Sequence, residues 1–162
     1  MLLYNRAKAE VELLPPVERM KVYAELQAEQ SRSQEDAVEL AASFRKYIPA
    51  CWNIIEPATP FVPNWHIDAI AEHLEACSKR QITQLLIMMP PRFMKSSTFS
   101  VAWPTWEWIA NPASRFLFSS YALQLSIRDA LRSRRVIQSP WYQQRWGSVY
   151  HLTGDQNAKV RY

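Results

Sequence analysis

The sequence predicts an α/β fold, a parallel sheet flanked by helices, preceded by an α-helical N-terminal extension. Three observations lead there. Two short apolar runs, Gln84–Met89 and Arg115–Tyr121, have the length and make-up of fully buried parallel strands. Each is followed by a helix-length segment, so the order is strand, loop, helix, strand, helix, the pattern of a right-handed βαβ unit. The chain is also 48% hydrophobic and 21% charged. That balance belongs to a packed globular protein, not to a disordered one.

Each element has a local reason. Residues 5–14 suit a short helix, stopped by Pro15-Pro16. Pro16 then fits the first turn of a helix over Val17–Gln30, where its missing N–H is harmless. Ser31 to Ser33 reads as a break. Ser33 can cap a helix over Gln34–Tyr47, with Glu35 and Asp36 in its first turn and Val38, Leu40, Ala41 and Phe44 as its apolar stripe, ended by Pro49. Residues 1–50 thus form the helical extension, and 51–162 the domain that carries the sheet. Residues 49–63, rich in Pro and aromatics, read as an ordered connector. Asn64 precedes a helix Trp65–Lys79 whose Ile67, Ile70, Ala71, Leu74 and Cys77 follow the spacing of one buried face. After the first strand a helix runs from Lys95 to about Ile109 despite Pro104, and Asn111-Pro112 turns the chain into the second strand. Leu123–Gln138 is a long helix, and Ser139-Pro140 opens one more through Arg145.

Several function classes are excluded or disfavoured early. The longest apolar stretch, Leu85–Met89, is far too short for a membrane span. The first residues alternate charge and apolar character and lack the apolar core of a secretory signal. Cys51 and Cys77 stand far apart with no CxxC, which disfavours a disulfide framework or a zinc site. Charge is distributed unevenly: the balance is −1 over residues 1–50, −1 over 51–110 and +6 over 111–162. A basic third is the footprint of a surface that meets phosphate, or else a solvated face or one paired with acidic sequence elsewhere.

Chemistry concentrates in the loop between the first strand and the helix after it. A phosphate-binding loop of the form GxxxxGK[ST] turns backbone N–H groups toward phosphates, with a helix N-terminus behind them, a lysine on the β/γ-phosphates and a hydroxyl for magnesium. That register falls on Met89, Pro90, Pro91, Arg92, Phe93, Met94, Lys95 and Ser96. The Lys-Ser pair and the strand-to-helix context are present; both glycines are missing. With two glycines and eleven prolines in the chain, turns here are made by other residues.

The string Pro90-Pro91-Arg92-Phe93-Met94-Lys95-Ser96 resembles the phosphate loop of phage terminase large subunits, DNA-packaging ATPases in which it commonly reads Pro-Pro-Arg-x-Gly-Lys-Ser. The resemblance continues upstream in Phe61 to Ile70 and Glu72-His73-Leu74-Glu75. Downstream it continues in Asn111-Pro112, Phe118 to Ala122, Arg128, Arg135, Ser139 to Tyr142 and Arg145-Trp146-Gly147. It covers about residues 52–162. It implies a P-loop NTPase-type parallel sheet, incomplete here. In the family an acidic strand end (Walker B), a catalytic glutamate and a nuclease domain follow later. After Ser96 this sequence offers only Glu107, Asp129 and Asp155 as carboxylates, none at the end of an apolar strand. Met94 in place of glycine is the other departure.

The resemblance implies ATP and Mg²⁺ as cofactors. Lys95 would contact the β/γ-phosphates, Ser96 would ligate Mg²⁺, and Arg92 would sense the γ-phosphate and add positive charge in the transition state. Pro91, Phe93, Met94 and Ser97 complete the cradle, and Trp65 and His66 stand where the family holds the adenine ring. Each has a plainer alternative: a helix-start lysine, a cap serine, a surface arginine, a core aromatic. Arg128, Arg132 and Arg135 share one helical face, as a DNA-backbone or subunit contact or as a solvated stripe. Implied partners are double-stranded DNA, the small terminase subunit, the portal protein and other copies in a ring, with no membrane. The implied location is the host cytoplasm and, transiently, the procapsid portal. The competing function is a non-catalytic interaction module that docks DNA, small subunit or portal.

Overall fold

The structure, a computed structural model, describes residues 14–152. Its regular elements are α1 (Pro16–Ala42), α2 (Phe44–Ile55), α3 (Trp65–Ser78), a π-helical turn (Ser97–Ala102) running directly into α4 (Trp103–Ala110), α5 (Leu123–Gln138) and α6 (Pro140–Trp146). The chain divides into two compact units, at Asp36/Ala37. The helix expected over residues 5–14 and the end of the chain after Leu152 lie outside the described residues, apart from Leu14 itself.

In the first unit α1 starts at Pro16, and the Arg19 guanidinium donates to the Leu14 carbonyl at 3.0 Å. The expected break at Ser31–Ser33 does not occur. Serine and arginine cost a helix only a few tenths of a kcal/mol, and α1 runs through them. Val17 and Met20 point into water.

The second unit is built around α2. Phe44, Tyr47, Ile48, Cys51 and Ile55 are buried there with Ile67, Ile70, Ala71 and Leu74 of α3, and with Val101, Trp108, Val136, Ile137, Tyr142 and Trp146. A carboxylate borrowed from α3 starts α2: Glu75 Oε1 accepts from the Phe44 backbone N–H at 2.7 Å. Pro49 lies inside α2 rather than ending a helix. It is exposed, so water can reach the Arg45 carbonyl it leaves without a donor.

The helix after Lys95 widens for a similar reason. Pro104 has no N–H to return to the Ser100 carbonyl. That carbonyl accepts instead from Ser133 Oγ of α5 at 3.1 Å, and the turn before the proline is π-helical. Thr105 is the polar hub of the core. Its Oγ1 donates to the Ala102 carbonyl at 2.8 Å and accepts from Tyr47 OH at 3.0 Å, while Tyr142 OH donates to its carbonyl at 2.9 Å. Three helices are thereby joined without a buried unpaired hydroxyl.

The predicted α/β fold with its parallel sheet is overturned: among the described residues there is no strand and no sheet. Both apolar runs are present, but neither has a neighbour. Along 85–89 burial alternates, with Leu85, Ile87 and Met89 half-buried and Leu86 and Met88 84% and 87% exposed. Residues 114–117 alternate likewise, Phe116 inward and Leu117 outward. Period-two alternation is the mark of an extended chain, whereas a sheet also requires a ladder of inter-strand hydrogen bonds. The two runs do not pair with each other, so the expectation of adjacent parallel strands fails with the sheet.

Candidate functional site

The loop Pro90–Ser97 carries two of the three non-glycine residues with positive φ among the described residues: Arg92 at 70° and Met94 at 60°. The left-handed region is uncommon for residues with a Cβ and costs roughly 1–2 kcal/mol each. Met94 stands where the phosphate-loop pattern places its second glycine. The backbone conformation that glycine would supply is present here despite the methionine. Left-handed residues set among right-handed ones turn successive N–H groups to one side, forming the concavity that binds anions.

Lys95 opens the helical run, and the first helical bond, Thr98 N–H to the Met94 carbonyl, is 2.9 Å. The Lys95 side chain is exposed and forms no ion pair among the described residues, and the same holds for Arg92. Ser96 is half-buried and lines a cleft of about 840 Å³. Pro91 is exposed, while Met94 packs partly on the core and so holds the loop down.

Ser97 serves the fold rather than the loop mouth. It is buried, and its Oγ donates to Glu56 Oε1 at 3.4 Å. The same oxygen pairs with Arg132 at 2.7 Å. Glu56 therefore ties the loop's far end to α5. It is a positioning residue that sequence reasoning missed, because a lone carboxylate in an irregular connector carries no spacing signal.

Trp65 and His66, at the start of α3, come to the loop. The His66 ring lies 5.4 Å from that of Phe93, edge to face, and 6.2 Å from that of Trp65. Trp65 is 78% exposed, which removes the core-aromatic alternative. His66 Nε2 is enclosed and has no hydrogen-bond partner. A buried ring nitrogen left unpaired costs on the order of 1–3 kcal/mol. Of the sequence-predicted site residues, His66 and Phe93 are thus in ring contact, with Trp65 beside His66.

The three arginines of α5 differ from one another. Arg132 is engaged by Glu56, and Arg128 pairs with Asp129 at 2.8 Å while remaining 43% exposed. Arg135 is exposed and makes no ion pair among the described residues. All three border a shallow depression of about 480 Å³.

Among the described residues no cluster of three or more His, Cys, Asp or Glu could hold a metal ion, and no helix is long and apolar enough to cross a membrane. Comparison of the chain with family models, with curated proteins and with solved structures finds no match.

Proposed function

We propose that residues 90–97 bind the phosphates of ATP–Mg²⁺, in a chain that resembles the ATPase motor of viral DNA-packaging terminases. The observation that carries this is the left-handed backbone at Met94, at the register position where a phosphate loop needs glycine, reinforced by the same conformation at Arg92. In this reading the N–H groups around Phe93 and Met94 receive phosphate oxygens. Lys95 neutralises β/γ charge from the helix start, and Arg92 adds a second cation. Ser96 offers its hydroxyl to Mg²⁺, which supplies Lewis-acid screening of the phosphates. Trp65 and Phe93 offer aromatic surface to a base, with the His66 ring packed between them.

Hydrolysis is a separate requirement. A side chain must orient the attacking water, and the resemblance implies a glutamate for that role. Glu107 is buried and accepts from Asn111 Nδ2 at 2.8 Å, and Asp129 is held by Arg128. Neither is available, so we assign the described residues to nucleotide binding, with turnover requiring a carboxylate from elsewhere. Double-stranded DNA is the proposed macromolecular partner. Arg135 and the exposed part of Arg128 are its contacts, and Arg132 is largely spent on Glu56. The small terminase subunit, the portal and further copies in a ring follow from the resemblance alone.

The test is thermal unfolding with and without ATP–Mg²⁺. A ligand that binds only the folded chain raises its stability by RT ln(1 + [L]/Kd), about 2.7 kcal/mol at a hundredfold excess over Kd. The expected result is a rise in Tm that Lys95→Ala removes. An unchanged Tm at millimolar ATP–Mg²⁺ would count against the proposal.

A further inference from the structure

The 840 Å³ cleft has a wall that the phosphate loop does not use. One side is the extended segment Ser114–Ser120, the other the first turns of α5, and Trp108 and Tyr150 line it with stacked rings 5.0 Å apart. The Ser114 N–H reaches the Asn111 carbonyl and the Ser114 carbonyl accepts from the Trp108 indole. Beyond Ser114, among the described residues, no hydrogen bond involves the backbone of residues 115–121. Backbone N–H and C=O groups are obligatory partners, and an extended row of them beside a helix is a template for one more strand. The side chains point the same way: Phe116 and Phe118 stack at 5.9 Å, and Leu117 is 96% exposed.

Charge selects the occupant. Arg115 is exposed and forms no ion pair among the described residues. Arg128 answers Asp129 at 2.8 Å, which leaves the cleft with one net positive charge. A second copy of this segment would bring Arg115 toward another Arg115 or toward Arg128, like charge against like, which is the usual guard against edge-to-edge pairing. A foreign strand with acidic residues has the complementary sign.

We propose that this cleft binds an extended segment of a partner protein, alternating apolar and acidic residues, which adds as a strand along residues 115–120. Its backbone pairs with theirs, its apolar side chains meet Phe116 and Phe118 on one face, and its carboxylates meet Arg115 on the other. Ser96 also lines this cleft, but the residues that receive the strand lie outside the loop Pro90–Ser97.

The probe is a short fluorescent peptide of alternating valine and glutamate, titrated into the full chain and followed by anisotropy. Two control peptides accompany it, one with alternate backbone amides N-methylated and one with lysine in place of glutamate. The acidic peptide is expected to saturate. N-methylation is expected to weaken it at least about tenfold, since strand addition takes its affinity from main-chain bonds, and the lysine peptide is expected not to bind. Arg115→Glu reverses the preference between acidic and basic peptides and leaves the urea midpoint unchanged. Equal binding of the N-methylated peptide, absence of saturable binding, or an Arg115→Glu variant that still prefers the acidic peptide overturns the proposal. So does a labelled DNA duplex that saturates the cleft and is lost in Arg115→Glu while no peptide binds, because the cleft then reads phosphate instead.

Discussion

Replacing Met94 by glycine and by alanine reads the loop's backbone directly. Met94 has φ 60° and is half-buried. Alanine keeps the Cβ that makes the left-handed region unfavourable and loses the thioether side chain. Glycine loses the same packing but relieves about 1–2 kcal/mol of strain. Its more flexible unfolded state returns about 0.5–1 kcal/mol of that gain. Side-chain packing lost from a half-buried methionine is worth about 1 kcal/mol, half the value for full burial. Glycine should therefore fall within about 1 kcal/mol of wild type, and alanine should be less stable than glycine by about 0.5–1 kcal/mol. At a helical position the order reverses, with alanine ahead by about 1 kcal/mol. Urea unfolding of the three proteins at equal m-value decides the sign. Alanine more stable than glycine would refute the left-handed backbone at Met94 and, with it, the preformed cradle. Because the conformation already exists in the methionine protein, Met94→Gly should tighten ATP–Mg²⁺ by no more than about tenfold, a 1.4 kcal/mol effect.

Glu56→Gln should destabilise the second unit by about 1–2 kcal/mol in urea, since it unpairs a half-buried Arg132 whose ion pair is partly screened; an unchanged midpoint would mean that Glu56 does not hold α5. Ser133→Ala strips the Ser100 carbonyl of its substitute donor and should cost about 1 kcal/mol, whereas a neutral result would show that water already serves that carbonyl. Stability should fall as pH rises above about 8.5 and more steeply above 10, where the unfolded chain releases thiol and phenol protons. Burial, then the nearby Cys51 and Tyr142, holds the Tyr47 phenol well above its ordinary range, and burial raises the Cys51 thiol and the Tyr142 phenol. The folded state therefore keeps these protons while the unfolded state loses them; a urea midpoint equal at pH 8 and pH 10.5 would contradict this.

Helices were legible at α3 and α5, where periodicity and punctuation agreed, but not over Gln34–Tyr47, where the expected Ser33 cap falls inside α1 and the chain breaks at Ser43 instead. Ile67, Ile70, Ala71 and Leu74 announced the buried face of α3, and Pro16 the start of α1. The long helix Leu123–Gln138 and the Ser139 cap, whose Oγ accepts from the Tyr142 N–H at 3.2 Å, were also readable. Proline misled at Pro49, because its cost depends on whether water can reach the carbonyl it leaves without a donor. The sheet was misjudged for a different reason. A continuous apolar run such as Gln84–Met89 suits an extended chain, but burial and pairing are properties of neighbours, and no periodicity within the run can supply one. The loop was legible in part. Register against the phosphate-loop pattern marked Met94 as a departure from glycine, and the left-handed backbone found there is not one that methionine's own preferences suggest. The ring contact of His66 with Phe93, and the bonds of Glu56 to Ser97 and Arg132, exist only in three dimensions and had no signature in spacing.

The most direct test of the phosphate-binding loop is a titration of the ¹⁵N-labelled chain with Mg²⁺–pyrophosphate, followed through its backbone amide resonances. Pyrophosphate carries the phosphates without the base, so only the cradle is interrogated. If N–H groups turned by the left-handed residues Arg92 and Met94 receive the anion, the amides from Phe93 to Ser97 shift first and saturably, and Lys95→Ala abolishes the response. Shifts confined to Arg128, Arg132 and Arg135, or none at all, would contradict the account.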